Sequence, residues 1–217
     1  NDPLACNFVF GAGLVAMMGH KFSFWLTHKF LPGWHEHLIA RTRFIDELVQ
    51  ENAINGIEQY VILGAGYDTR AYRLDLPQSL RVFEVDQPEV QKRKRKKLPA
   101  SLLDNESVEY VSVDFSHQTV SERLIERGFD KSKSTIITLE GVSQYISKED
   151  FSALVKDIAS LKKSKDFIFF VSYIDKRFTT NPEECCGVGF QDAGKKFELI
   201  KSLSGKAGEP WISFYAE

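Results

Sequence analysis

The first groups in this sequence whose placement could do chemistry are a glycine turn and the acids that follow it. Gly64-Ala65-Gly66 comes directly after the apolar run Tyr60-Val61-Ile62-Leu63, and Glu84-Val85-Asp86 closes the next apolar stretch about 20 residues later. Glycines at a strand-to-helix turn permit positive φ and remove the Cβ that would hold a ligand off the backbone. An acid at the end of the following strand suits bidentate capture of ribose hydroxyls. Asp86 fits that role, with Glu84 on the same face of the strand. The competing reading of Asp86 is an N-cap for a helix beginning at Pro88.

The residues beside the glycines discriminate between nucleotide classes. A dinucleotide fingerprint wants a third glycine where Thr69 stands and no negative charge facing the pyrophosphate, and here Asp68 sits in the loop. A carboxylate at that place repels a pyrophosphate but accepts from an ammonium, such as that of a methionine tail next to a sulfonium. The loop therefore favours S-adenosylmethionine over NAD.

These groups need an α/β frame. The spacing of Leu38, Ile39, Ile45, Leu48 and Val49 predicts an amphipathic helix over 36–50. Tyr60 to Leu63 reads as a buried parallel strand, with a helix expected from about Thr69. The alternation then repeats as strands at Leu80–Val85, Val108–Val113, Thr135–Leu139 and Phe167–Tyr173. Helices are expected at Pro88–Leu98, Val120–Arg127 and Lys148–Leu161. Such alternation means a mostly parallel sheet with helices on both faces. Farther on, a helix over Gly194–Leu203 and an extended piece at Trp211–Tyr215 are expected.

Length and charge set the outer bounds. A chain of 217 residues with 43% hydrophobic composition supports one core, so 1–217 is read as a single domain, with a helical cap segment over 1–52 and an α/β core over 59–217. A net charge of −2 gives no global attraction to nucleic acid or to an anionic membrane. Phe8 to Leu31 is apolar-rich but broken by His20, Lys21, His28 and Lys29, and reads as an amphipathic lid rather than a membrane span. Cys6, Cys185 and Cys186 form no paired framework, which fits a reducing, cytoplasmic setting. His20, His28, His35, His37 and His117 lack ligand spacing, so no metal is expected. The run Lys92-Arg93-Lys94-Arg95-Lys96-Lys97 points all round a helix axis and reads as a solvated face with snorkelling stems, with a polyanion-steering patch as the lesser alternative.

Several ordered stretches resemble one family. They are Asp2-Pro3-Leu4-Ala5, Ala40-Arg41-Thr42-Arg43-Phe44-Ile45-Asp46, Leu63-Gly64-Ala65-Gly66-Tyr67-Asp68-Thr69-Arg70-Ala71-Tyr72-Arg73-Leu74, Phe83-Glu84-Val85-Asp86-Gln87-Pro88-Glu89-Val90, Val113-Asp114-Phe115 and Leu139-Glu140-Gly141-Val142-Ser143-Gln144-Tyr145-Ile146. Together they are similar to the leucine carboxyl methyltransferase family and its bacterial and archaeal relatives. The resemblance implies a Rossmann-like class I methyltransferase fold that binds S-adenosyl-L-methionine. It implies that Arg41 meets the cofactor carboxylate, which a bidentate guanidinium suits; otherwise Arg41 and Arg43 read as a solvated helix face. Gly64 and Gly66, with Ala65 between them, would line the methionine tail, and Glu140 would stand at the cofactor's amino end, the end that the loop chemistry assigns to Asp68. Asp86, next to Glu84, would hold the ribose, and Asp114 and Phe115 would flank the adenine. Family members continue past the region resembling 208–215, so the sheet is expected to lack its last strands, and a chain opening at Asn1 is expected to belong to a longer one.

The expected function is O-methylation of a carboxylate or hydroxyl on a small molecule or peptide. A carboxylate acceptor is already ionised and needs no base. Tyr145 and Tyr173 are the candidates should one be needed, against ordinary packing roles. The alternatives are a non-catalytic binding module that keeps the fold and, with less support, an NAD-dependent oxidoreductase.

Overall fold

The computed structural model describes residues 2–4, 7–8, 25, 34–103, 107–114, 118–164 and 166–173. The lid over Phe8–Leu31 lies mostly outside the described residues. The same holds for the expected elements at Gly194–Leu203 and Trp211–Tyr215, for Phe115, for all three cysteines, and for His20, His28 and His117.

Helix α1 (Trp34–Ile54) starts two residues earlier and ends four later than its apolar spacing predicts. Ile45, Val49 and Ala53, four apart, form its buried stripe, whereas Ile39 and Phe44 remain exposed. The core then alternates as β1 (Gln59–Leu63), the single-turn α2 (Arg70–Arg73), β2 (Arg81–Asp86), α3 (Pro88–Lys97), the short α4 (Ala100–Leu103), β3 (Val108–Ser112), α5 (Val120–Glu126), β4 (Thr135–Leu139), α6 (Lys148–Ala159) and β5 (Phe167–Val171). A 3₁₀ turn at Ser143–Tyr145 stands between β4 and α6.

All five strands are parallel, in the order β3-β2-β1-β4-β5, the Rossmann-like arrangement expected. β1 and β4, with neighbours on both sides, are buried along their whole length. Alternate residues feed two cores. Val61, Leu63, Phe83 and Val85 pack with Val120, Leu124 and Ile158 on the α5 and α6 face. Tyr60, Ile62 and Val82 pack with Ile45, Val49 and Ala71 on the α1 and α2 face.

Register levels the carboxyl ends of the strands. Leu63 pairs with Val85 on one side and with Leu139 on the other, so Gly64, Asp86 and Glu140 leave the sheet in one row. Ligands gather at this edge in open α/β sheets, because loops that begin there bring bare backbone and polar side chains together.

The basic run is not a uniformly solvated face. Five of its six members are exposed, but Lys94 is fully buried, with Gln91 and Leu98 on the same helical stripe. Its Nζ donates to Glu84 Oε1 at 2.7 Å, so this lysine forms an internal ion pair rather than part of a solvated face.

Candidate functional site

The loop after β1 is built by its two glycines. Gly64 has φ +64° and Gly66 φ +44°, in the left-handed region that favours glycine. A Cβ on Gly64 would lie 2.5 Å from Val142 Cγ2, so the loops after β1 and β4 touch only because Gly64 has no side chain. The β4 loop is itself pinned to the end of β5: Ser172 Oγ accepts from Gly141 N at 2.8 Å, and Ser143 Oγ donates to Ser172 O at 2.8 Å.

Asp86 is locked into this turn. Gly66 N donates to Oδ2 at 2.6 Å and Gln87 N to Oδ1 at 2.7 Å. These two bonds orient the carboxylate and leave acceptor capacity on each oxygen, as a vicinal diol requires. Asp86 is not the N-cap of α3; that position is Gln87, which makes no side-chain cap bond.

Around the turn lies a cleft of about 1170 Å³, large enough for a nucleoside-sized ligand and more. Of the residues expected to hold a cofactor, Arg41, Gly64, Ala65, Gly66, Asp68, Asp86 and Glu140 line it. Glu84 and Asp114 are not on its wall. Glu84 is fully buried against Lys94, its Oε2 has no hydrogen-bond partner, and burial, only partly offset by Lys94, pushes its carboxyl up to about 7. Two residues before Asp86 on the same strand face, Glu84 is covered by α3 and cannot reach a ligand in the cleft. Asp114 follows β3, where its backbone N–H donates to Gln118 Oε1, and Gln118 and Thr119 line the cleft instead. Tyr145 lines the cleft and Tyr173 does not, and both are exposed.

One wall of the cleft is an ion-pair network that local spacing does not reveal. Glu140 takes Arg41 Nε on Oε1 at 2.7 Å and Arg70 Nη1 on Oε2 at 2.6 Å. Asp68 takes Arg70 Nη1 on Oδ2 at 2.5 Å and the Arg70 backbone N–H on Oδ1 at 2.7 Å. Arg70 Nε and both terminal nitrogens of Arg73 reach Asp46 of α1, each at 2.7 Å. Although burial works against charge, Asp68 and Glu140 hold Arg70 above its already high range. Burial likewise opposes ionisation of Asp46, yet Arg73 and Arg70 keep its carboxyl below the usual range. Asp46, Arg70 and Arg73 stand in the quoted motifs, but nothing in their spacing says that α1 closes on α2. Arg43, by contrast, is exposed and meets Glu47 at 3.8 Å.

The N-terminal segment reaches the same loop. Thr69 Oγ1 donates to Asp2 Oδ2 at 2.6 Å, and Asp2 lines the cleft. Phe8 stacks on Tyr67 with ring centroids 4.8 Å apart, and Lys97 Nζ donates to Phe8 O at 3.1 Å. Thr69, at the place of a third glycine, is thus buried and occupied by this contact.

In formal charge, among the described residues six carboxylates (Asp2, Asp68, Asp86, Glu140, Asp150, Asp157) line the cleft against three arginines (Arg41, Arg70, Arg73). Such a wall favours a ligand with net positive charge and disfavours phosphates. Among the described residues no cluster of His, Cys, Asp or Glu is arranged as metal ligands, and no helix is long and apolar enough to cross a membrane.

The Bacillus subtilis protein YktD, provisionally named an S-adenosyl-L-methionine-dependent methyltransferase, is 31% identical over 179 residues, which are 82% of this chain and 55% of YktD. A Mycobacterium avium protein provisionally named for the same activity is 38% identical over 125 residues, 57% of this chain and 40% of its own. The chain thus spans about half the length of the curated relatives it matches. A solved structure from Thermobifida fusca, provisionally described as a methyltransferase, superposes with a TM-score of 0.55 at 20% identity, covering 86% of this chain and 66% of that one, and so shares the fold. The model of the leucine carboxyl methyltransferase family matches residues 1–159, which include the glycine turn, Asp86 and the whole ion-pair network, and the chain belongs to that family.

Proposed function

We propose that the cleft binds S-adenosyl-L-methionine and that the chain carries the cofactor site of a methyltransferase acting on the oxygen of a carboxylate or hydroxyl in a small molecule or peptide. The observation that carries this reading is the convergence of oriented Asp86, the glycine turn and the Arg41–Glu140–Arg70–Asp68 wall on one acid-rich cleft. S-adenosylmethionine has two cationic groups and one carboxylate, a net charge that complements the wall. A dinucleotide would set its phosphates against Asp68 and Asp86.

When bound, the cofactor supplies an already activated methyl group, so the protein contributes chiefly position and electrostatics. Asp86 would accept the ribose hydroxyls on the lone pairs that Gly66 N and Gln87 N leave open. Arg41 would turn one N–H edge toward the cofactor carboxylate, and Asp68 and Glu140 would face its ammonium. The acceptor class follows the family, whose name is that of carboxyl methylation, and a carboxylate needs no base from this chain. Phosphates set against this acid-rich wall would be repelled, which favours S-adenosylmethionine over NAD.

Calorimetry with S-adenosylmethionine and S-adenosylhomocysteine, with NAD as control, tests the cofactor. Micromolar binding is expected, weakened about tenfold or more in Asp86→Ala and in Arg41→Ala, since each loses a charge-assisted contact worth about 1.5–3 kcal/mol. Binding of NAD alone, or of none of the three, overturns the reading. Transfer of labelled methyl to an acceptor pool with more than one turnover separates an enzyme from a binding module that only keeps the fold.

A further inference from the structure

Arg70 opens α2, and its side chain is only 4% exposed. One of its nitrogens, Nη1, bridges Asp68 Oδ2 and Glu140 Oε2 at 2.5 and 2.6 Å, so a single guanidinium sets the spacing of two carboxylates from different loops. Its Nε is anchored on Asp46 of α1 at 2.7 Å. The arrangement ties the largely buried Arg70 to both acids and to α1 at once, with Nε and Nη1 both committed to carboxylates.

We propose that Arg70 is a positioning residue for recognition of the ligand's ammonium group: it holds Asp68 and Glu140 side by side on the cleft wall, and these two carboxylates, not Arg70, meet the ammonium. This rests on the reading of the cleft as an S-adenosylmethionine site. The physical reason is like-charge repulsion. Two carboxylates that close together separate unless a cation lies between them, and a nearly buried cation whose N–H groups are engaged by these acids and by Asp46 leaves the acids' remaining lone pairs for a ligand. A planar guanidinium does this with separate N–H edges toward the acids and toward Asp46, whereas a lysine ammonium supplies the charge without the fork. Removing the charge leaves the acids present but no longer aligned.

The test is the selectivity for an amino group rather than affinity alone. Binding of S-adenosylhomocysteine and of its des-amino analogue is measured by calorimetry for the intact protein, Arg70→Met, Arg70→Lys and, as a control for general loosening, the core variant Val49→Ala. The intact protein is expected to prefer the amino-bearing ligand by about tenfold or more, as befits charge-assisted hydrogen bonds. In Arg70→Met that preference should fall to about twofold or less; in Arg70→Lys it should recover in part; in Val49→Ala it should stand unchanged whatever happens to affinity. Equal weakening of both ligands in Arg70→Met would mean that Arg70 is merely structural and would overturn the proposal while leaving the cofactor reading intact. If Arg70→Met fails to fold, Arg70→Lys decides, and an amino preference equal to that of the intact protein overturns it. Absence of S-adenosylhomocysteine and S-adenosylmethionine binding by the intact protein removes the cofactor reading and this proposal with it.

Discussion

At Gly64 two constraints coincide, a φ of +64° and a would-be Cβ 2.5 Å from Val142 Cγ2. Gly64→Ala is expected to lose about 1–3 kcal/mol of stability in urea denaturation, and Val142→Ala in the same chain should restore the part due to the clash but not the part due to φ. An unchanged midpoint in Gly64→Ala would show that the two loops do not touch. Asp46 is a second residue-scale test. Its carboxyl is held below the ordinary value of 3.8 by Arg73 and Arg70 against burial, so its contribution is present above that value and is lost as pH falls through the lower folded-state value. Asp46→Asn, which leaves two largely buried arginines short of a partner, is expected to cost about 3 kcal/mol at neutral pH. The difference from the intact protein should shrink as the pH drops below about 4. A difference that stays constant across that range would deny Asp46 the role.

For an element, the instructive case is α3 against β2. Gln91 and Lys94 are the buried residues of a helix whose other positions are mostly charged, buried Leu98 is its C-cap, and Lys94 is spent on Glu84. Gln91 Nε2 bridges Glu84 O and Val111 O at 3.0 Å each, so the helix is held to the sheet by polar as well as apolar contacts. Removing one member of a buried pair strands the other, whereas replacing both removes the desolvation penalty as well. Lys94→Met is therefore expected to destabilise by about 3 kcal/mol, and Lys94→Met with Glu84→Gln to regain most of it. The pH dependence has a definite sign. With Glu84 raised by burial to about 7, its favourable contribution is complete below 4.5 and is lost as pH rises through about 7. Chemical denaturation of the intact protein should show this decline, and the double variant should lack it.

Over the whole molecule the chain is nearly neutral, with a net charge of −2, yet among the described residues the cleft concentrates six carboxylates against three arginines. The resulting field acts on a ligand's net charge. Salt raised from about 0.01 M to about 1 M shortens the screening length from roughly 30 to 3 Å. S-adenosylmethionine, with one net positive charge, should lose affinity severalfold over that range, while S-adenosylhomocysteine, net neutral, should lose much less. Equal salt responses would mean that the acids of the wall are neutralised by their own arginines and steer nothing.

What the sequence by itself determined is whatever depends on neighbours along the chain. A short apolar run reads as a strand, Gly64 and Gly66 read as its turn, and Asp86 and Glu140 fall at the ends of the next strands, with element limits that differ from the observed ones by a few residues at most. Those signals are local, because strand period, turn geometry and helix spacing are set within a few residues. What only the tertiary structure decided is which distant side chains meet. Arg41 and Glu140 are 99 residues apart in the chain and Arg70 and Asp46 are 24 apart, and they pair because α1 packs on the same face of the sheet as α2, beside the loops that leave β1 and β4. Lys94 looks like its five charged neighbours in sequence, and only the packing angle of α3 turns it inward to Glu84. Periodicity carries no information about that angle, which is fixed by the fit of side chains between helix and sheet.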